Sequence, residues 1–497
     1  MPSVLKQALS FFSNNDESPK WISVFWILFL VALIIRFPFF FRDYIDRDES
    51  TFIIMGQSWV DGFLPYTHLW DLKPPVTFLF FAIIIKVFGK SFLAIRAMGV
   101  LLVALTGLFT YALASKFTSH KIAFWSAFFC VLFQSLFGSL QGVMSEHICT
   151  FFFVVGTYLL LVKEQKVWFL VAGLMFGLSV MSKLNMAYPL LCLGLYLLYD
   201  GYRQKQVKHV LGRLVPLGTG FLFIVFLTAF PYYFQNELGA WWLSIFEAPM
   251  AYSGSRLNSR LKVLPVVIFL LGLLIAGFAT KLLDRKSKPL HILGVIIIGV
   301  LLSFIQAGRA NGHYLIQVYP FVLIPMAIVV GKLPPVKSSY RPVMVALLML
   351  LPMEAYLEYA HIISNKLNKG AYFNGEGIEV PNYIVQNKLE TTNIFFTEYH
   401  IGYWVLGVDP PTKAATHPSN ITRDELFPYM QNPRETGLDE LKFIMEEIRP
   451  KTVVARKGKK IFDKKLVEYN SYIDAYLERH YTLLATVDRG LIYQRSE

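Results

Sequence analysis

At 497 residues, with 55% hydrophobic, 16% aromatic and 16% charged residues, the chain lies well below the roughly 25% charged content of soluble domains and reads as a polytopic α-helical membrane protein. The formal net charge of +13 calls for no nucleic-acid partner, because Lys and Arg gather in short loops between apolar runs, where they set topology. Cys130, Cys149 and Cys192 all lie inside apolar runs, which argues against a disulfide framework or zinc site and for small packing residues.

The N-terminal MPSVLKQALSFFSNNDESPK is polar and no small-residue cleavage site follows it, so the first hydrophobic segment is expected to be a retained span. A helix needs roughly 20 mostly apolar residues to cross the hydrocarbon core. Spans are expected near 21–41, 92–114, 122–140, 147–162, 167–182, 186–200, 214–234, 262–280, 290–307, 314–331 and 342–358, about eleven transmembrane helices. Lys6 and Lys20 precede the first, Lys116 and Lys121 follow the second, and Lys163 and Lys166 the fourth. Arg203, Lys205, Lys208 and Arg213 follow the sixth, Lys281, Arg285, Lys286 and Lys288 the eighth, and Lys332, Lys337 and Arg341 the tenth. Every second loop is basic and the alternate ones are nearly bare. The basic loops and the N-terminus are therefore expected on the cytoplasmic side of a plasma (bacterial inner) membrane, and an odd span count puts the C-terminus outside.

VTFLFFAIIIKVFG, from Val76 to Gly89, follows Pro74-Pro75, is short and carries Lys86. It is expected to lie in or dip into the outer interface. TFIIMGQSWVDGF before it is amphipathic, with Phe52, Met55 and Trp59 at helical spacing. Arg42 to Lys90 thus reads as a long first outer loop (42–90) with two interfacial helices, and long loops are more often functional than connective. From about Tyr359 charges return, and NIFFTEY, LDELKFIMEEIRP, KTVVARK, YNSYIDAYLERHY, TLLATV and GLIYQR alternate short strands with amphipathic helices. The expected organisation is a transmembrane catalytic part, 1–358, and a soluble α/β outer domain, 359–497.

On the outer side this topology collects Asp48 and Glu49, Lys73 in DLKPP, Glu146 at the mouth of the fourth span, and Arg309 and His313 in QAGRANGHY. Ionisable groups near the membrane are functional candidates because isolated charge in lipid is costly. Acids and bases from three loops are expected to meet at one interface. Asp43 and Asp46 read instead as a solvated collar, and Lys183 as a span-end marker. Asp48-Glu49 would also stabilise the start of their helix as caps, and the i, i+4 spacing of Arg309 and His313 suits a shared anion.

DRDESTFIIMGQSWVDGFLPYTHLWDLKPP resembles the first outer loop of the GT-C superfamily of membrane glycosyltransferases, in the branch of protein O-mannosyltransferases and lipid A aminoarabinose transferases. The resemblance rests on Asp48-Glu49, Gly62 with Tyr66, and Lys73-Pro74-Pro75, and on GRANGHYLIQVYP, which is similar to a His-Tyr element opening a late span. One departure is Glu146, where relatives often carry Asp. The resemblance implies transfer of a sugar from a polyprenyl-phosphate donor to a hydroxyl or phosphate acceptor (lipid A, a glycan or a protein) outside the membrane. It implies Asp48 as base, Glu49 or Glu146 to position the acceptor or support the oxocarbenium-like charge, and Lys73, Arg309 and His313 as partners of the donor phosphate. With one base the outcome is inversion. No cofactor is required; acids near a phosphate could admit a divalent metal, though no ligand spacing demands one. The partners implied are the donor, the acceptor and membrane lipids. A transporter or flippase of lipid-linked sugars would place its polar groups at mid-membrane, and a glycan ligase or polymerase would be expected to carry its key residues in a late loop.

Overall fold

The computed structural model describes residues 19–496 apart from 44, 255, 256 and 336; the N-terminal stretch with Lys6 lies outside the described residues. The principal helices in chain order are α1 (Trp21–Arg36), α2 (Arg47–Val60), α3 (Pro75–Phe88), α4 (Phe92–Ala114), α5 (His120–Phe133), α6 (Ser145–Val162) and α7 (Lys166–Val180). They continue as α8 (Ala187–Arg203), α9 (Val207–Phe234), α10 (Leu264–Ala279), α11 (Lys288–Ala307), α12 (Tyr319–Lys332), α13 (Arg341–Leu350) and α14 (Met353–Lys369).

Every segment expected to span carries helix. Among the described residues, 6 helices are long and apolar enough to cross a membrane, and 7 if the bent pair Ser338–Leu350 and Met353–Lys369, meeting at 51°, is one span. The chain is a multi-pass membrane protein. The difference from eleven lies mainly in α5, α7 and α12, which have 14, 15 and 14 residues. Fourteen residues rise only about 21 Å, short of a hydrocarbon core of about 30 Å.

The chain packs as two compact units. The first holds the described residues of Met1–Pro38, Arg96–Thr228 and Arg256–Glu358. In it α6 packs on α7, α5 on α12 and α8 on α11. Where α7 meets α9 the backbones touch: a Cβ on Gly173 would lie 2.0 Å from the Leu217 carbonyl oxygen, and one on Gly220 2.3 Å from that of Leu170. Small residues permit such crossings in lipid, where close van der Waals packing replaces the hydrophobic drive. Arg36 ends α1 buried, at 1% exposure. Its guanidinium donates to the carbonyls of Gln134 at 3.1 Å, Gly142 at 2.6 Å and Leu140. This charge therefore braces the connection between α5 and α6 and sets where α6 begins.

The second unit holds Phe39–Ile95, Ala229–Ser255 and Tyr359–Glu497. Its sheet has strands β1 (Phe395–Phe396), β2 (Thr452–Arg456), β3 (Tyr481–Val487) and β4 (Gly490–Arg495) in the order β1-β2-β4-β3. β1 runs parallel to β2, and the other pairs are antiparallel, with Val454 opposite Ile492. The apolar run TVVA makes β2 the buried strand, with Val453 and Val454 fully enclosed, as a strand covered on both faces requires. The four strands fall in the segments whose alternation pointed to them. The early loop belongs to this same unit. Arg42 bridges Asn374, and the Asp43 N–H donates to the Asn374 carbonyl at 3.1 Å.

That pairing corrects the reading of Asp43 and Asp46 as a solvated collar. Asp43 is 3% exposed and accepts from the Gly377 N–H. Asp46 is the N-cap of α2, its Oδ1 accepting from the Asp48 N–H at 2.8 Å. Asp48 and Glu49 are accordingly first-turn residues of α2 and not its caps.

Candidate active site

The six candidate residues divide evenly. Asp48, Glu49 and Lys73 lie in the second unit, and Glu146, Arg309 and His313 in the first.

In the second unit, the Asp46 cap starts α2 and aims the next acid. Asp48 Oδ2 pairs with Lys73 Nζ at 3.1 Å, and its Oδ1 lies 3.5 Å from His417 Nε2. Placement in the first turn adds the favourable field of the helix N-terminus to both acids. Lys73 is held from behind. The Tyr66 hydroxyl donates to the Lys73 carbonyl, and the ammonium lies 5.5 Å from the centre of the Phe52 ring. Burial, then the neighbouring Tyr232 and Asp71, push the Tyr66 phenol well above its ordinary range, so it stays a donor. Tyr66 itself takes φ 73°, and Gly62 ahead of it φ 104°, so the turn before Lys-Pro-Pro is left-handed twice. Pro74-Pro75 then opens α3, with Pro at the position that lacks a helical N–H partner.

His417 Nδ1 accepts the Ser419 N–H at 3.0 Å. With that nitrogen occupied as an acceptor, the neutral ring presents Nε2–H toward Asp48. Behind it, the Thr51 hydroxyl donates to the Arg47 carbonyl at 3.1 Å and lies 2.9 Å from His400 Nε2. Burial, then His417 and Arg47, hold His400 well below the usual imidazole range. Arg47 reaches Glu398, which also gathers Lys459 at 3.3 Å and Arg456 at 3.9 Å. Glu49 is buried.

In the first unit, the braced start of α6 places Glu146 at 1% exposure. Its carboxylate pairs with Lys183 and lies 3.6 Å from His313 Nε2; the Ser145 hydroxyl donates to it at 3.0 Å. The Lys183 ammonium also sits 4.3 Å from the centre of the Tyr314 ring. Beside this cluster Asn185 exchanges hydrogen bonds with Gln317 at 3.0 and 2.8 Å. Arg309 lies one residue past Gly308, the left-handed cap of α11. The 3-10 helix carrying His313 begins only at Gly312. Arg309 and His313 therefore do not share a helical face, contrary to their i, i+4 spacing.

Two residues outside the candidate set join these clusters: Lys183, expected as a span-end marker, pairs with Glu146, and His417 lies against Asp48. Lys183 had a signal, a cation at the end of an apolar run. His417, in THPSN, had none.

Residues 72–233 match the sequence profile of the family described as dolichyl-phosphate-mannose-protein mannosyltransferase, less than half of the chain. No curated protein sequence matches. Among solved structures, ArnT from Cupriavidus metallidurans bound to undecaprenyl phosphate superposes with a TM-score of 0.60 at 13% identity, over 95% of this chain and 97% of that one. Its apo state gives 0.60 at 11% identity over the same shares. The chain has the fold of the GT-C glycosyltransferases. The oligosaccharyltransferase of Archaeoglobus fulgidus, at 0.48 and 13% identity over 96% and 74% of the two chains, is too distant to add to that. Within the GT-C fold, the family match begins just ahead of Lys73 and includes Glu146 and Lys183.

Proposed function

We propose that the chain is a glycosyltransferase that moves a sugar from a polyprenyl-phosphate donor to an acceptor on the outer face of the membrane, with inversion at the anomeric carbon. The observation that carries this reading is the Asp48 carboxylate, set by a capped helix start and paired with Lys73 at 3.1 Å. In the reaction, an acceptor oxygen forms a bond to the anomeric carbon as the bond from that carbon to phosphate oxygen breaks. The acceptor proton passes to Asp48, and polyprenyl phosphate leaves with the electron pair. Lys73 exchanges its carboxylate partner for the donor phosphate, which relieves Asp48 for proton transfer and neutralises the leaving group. His417 orients the carboxylate through its other oxygen.

Lys183 joins Arg309 and His313 as a cationic group suited to phosphate, and Glu146 holds Lys183 and His313 in position. The undecaprenyl phosphate bound by ArnT supports the donor class, and the alternation of basic loops supports action outside. The acceptor is a hydroxyl or phosphate of lipid A, a glycan or a protein. The chemistry needs no cofactor. Among the described residues no three His, Cys, Asp or Glu side chains are grouped to hold a metal ion.

The test is Asp48→Asn in purified protein with a labelled polyprenyl-phosphate sugar. One base of this kind contributes roughly 10²–10⁴-fold, and the variant should lose transfer by that much while still binding donor. Transfer at the parent rate would overturn the assignment.

A further inference from the structure

A cavity of about 320 Å³ opens at one end of the first unit, where the last turn of α6, the C-terminal half of α8 and the first turns of α9 and α11 converge. Its walls differ in chemistry. Leu161, Leu214 and Ile292 form an apolar side, and Arg213, Lys288 and Asp200 a polar one. Lys288 pairs with Asp200 at 2.5 Å, and Gln204 Nε2 donates to the other Asp200 oxygen at 2.8 Å, which fixes the carboxylate and the ammonium at the mouth. The Arg213 guanidinium lies 5.1 Å from the centre of the Phe169 ring. Among the described residues it has no hydrogen-bond partner, so a rigid fork of five N–H donors faces a cavity unspent. Two fixed cations against one carboxylate leave the cavity positive. The start of α9, a 28-residue helix, adds its unpaired N–H groups.

We propose that this cavity holds the phosphate headgroup of an anionic membrane phospholipid, with the acyl chains leaving over the leucine wall. The inference is independent of the sugar-transfer reading and touches none of its residues. Three of the helices that meet here, those of Ser145–Val162, Val207–Phe234 and Lys288–Ala307, are candidate spans, so their shared end lies at headgroup depth. A soluble phosphate has no use for the apolar wall, and a zwitterionic headgroup would bring its ammonium against Arg213 and Lys288. Basic pockets between spans are suited to anionic lipid headgroups for these reasons.

The experiment is native mass spectrometry of the full chain in mild detergent with phosphatidylglycerol, phosphatidylcholine or glycerol 3-phosphate. Phosphatidylglycerol should be retained over phosphatidylcholine. Arg213→Gln and Lys288→Gln should each lower that retention roughly five-fold, as expected for one basic residue near a lipid phosphate. Arg213→Lys should keep most of it, which separates lost charge from lost fold, and Lys121→Gln, outside the cavity, should change nothing. Equal retention of the two lipids, retention unchanged in Arg213→Gln, or displacement of the lipid by glycerol 3-phosphate would overturn the proposal.

Discussion

Lys183→Met keeps the length of the side chain and removes the ammonium that pairs with Glu146. The carboxylate it leaves is 1% exposed, with His313 at 3.6 Å and the Ser145 hydroxyl at 3.0 Å among its neighbours. Breaking a buried pair in this way costs about 3–5 kcal/mol. The lost contact with the Tyr314 ring adds roughly 1 kcal/mol. The single variant should therefore be destabilised by about 4–6 kcal/mol. Adding Glu146→Gln removes the buried carboxylate's charge, so the double variant should recover about 2 kcal/mol or more, a coupling that only an interacting pair produces. Denaturant titration in mild detergent, followed by tryptophan fluorescence, reads this as midpoint shifts at constant slope. Because the measurement is of stability, it stays separate from any role of Glu146 in transfer. A single variant within about 0.5 kcal/mol of the parent, or a double variant no more stable than the single, would refute the claim that this is a buried and mutually compensating pair.

Gly377→Ala would set a Cβ 2.5 Å from both Asp43 Oδ2 and Ile401 Cγ2. Displacing either should cost roughly 1–3 kcal/mol in the same titration, and an unchanged midpoint would show that Asp43 is not locked there. His400 gives a pH dependence. Its folded imidazole resists protonation because of burial, then His417 and Arg47, with Thr51 and Asp48 also facing it. The unfolded chain takes that proton below about pH 6.5, so stability is full above that pH and falls as pH drops, by up to about 1.4 kcal/mol per pH unit. His400→Asn should flatten this limb between about pH 6.5 and 5, and equal slopes in the two proteins would refute the assignment.

Local chemistry made much of this molecule legible. Asp-x-Asp-Glu ahead of an amphipathic run announces a capped helix start, Pro-Pro announces the opening of α3, and short apolar runs between amphipathic helices mark the strands of the sheet. Even so, the caps were misassigned by two positions. A cap is decided by which side-chain oxygen reaches a free N–H, and Asp46 and Asp48 are equally good on paper. Span lengths differ at α5 and α12 for a similar reason, since the apolar run continues past Phe133, where α5 ends, and begins ahead of Tyr319, where α12 starts.

By itself the sequence determined that this is a membrane protein, where helix is available, which loops are basic, and that Asp48, Lys73, Glu146 and His313 are worth attention. Those features depend on composition and on neighbours a few residues away. Only the tertiary structure decided which charges pair. Lys183 belongs to Glu146 across 37 positions, and His417 comes to Asp48 from far along the chain. Asp43 leaves the solvent to receive the Gly377 N–H across 334 positions. A buried charge must find a partner wherever the fold supplies one, and no local pattern records that distance.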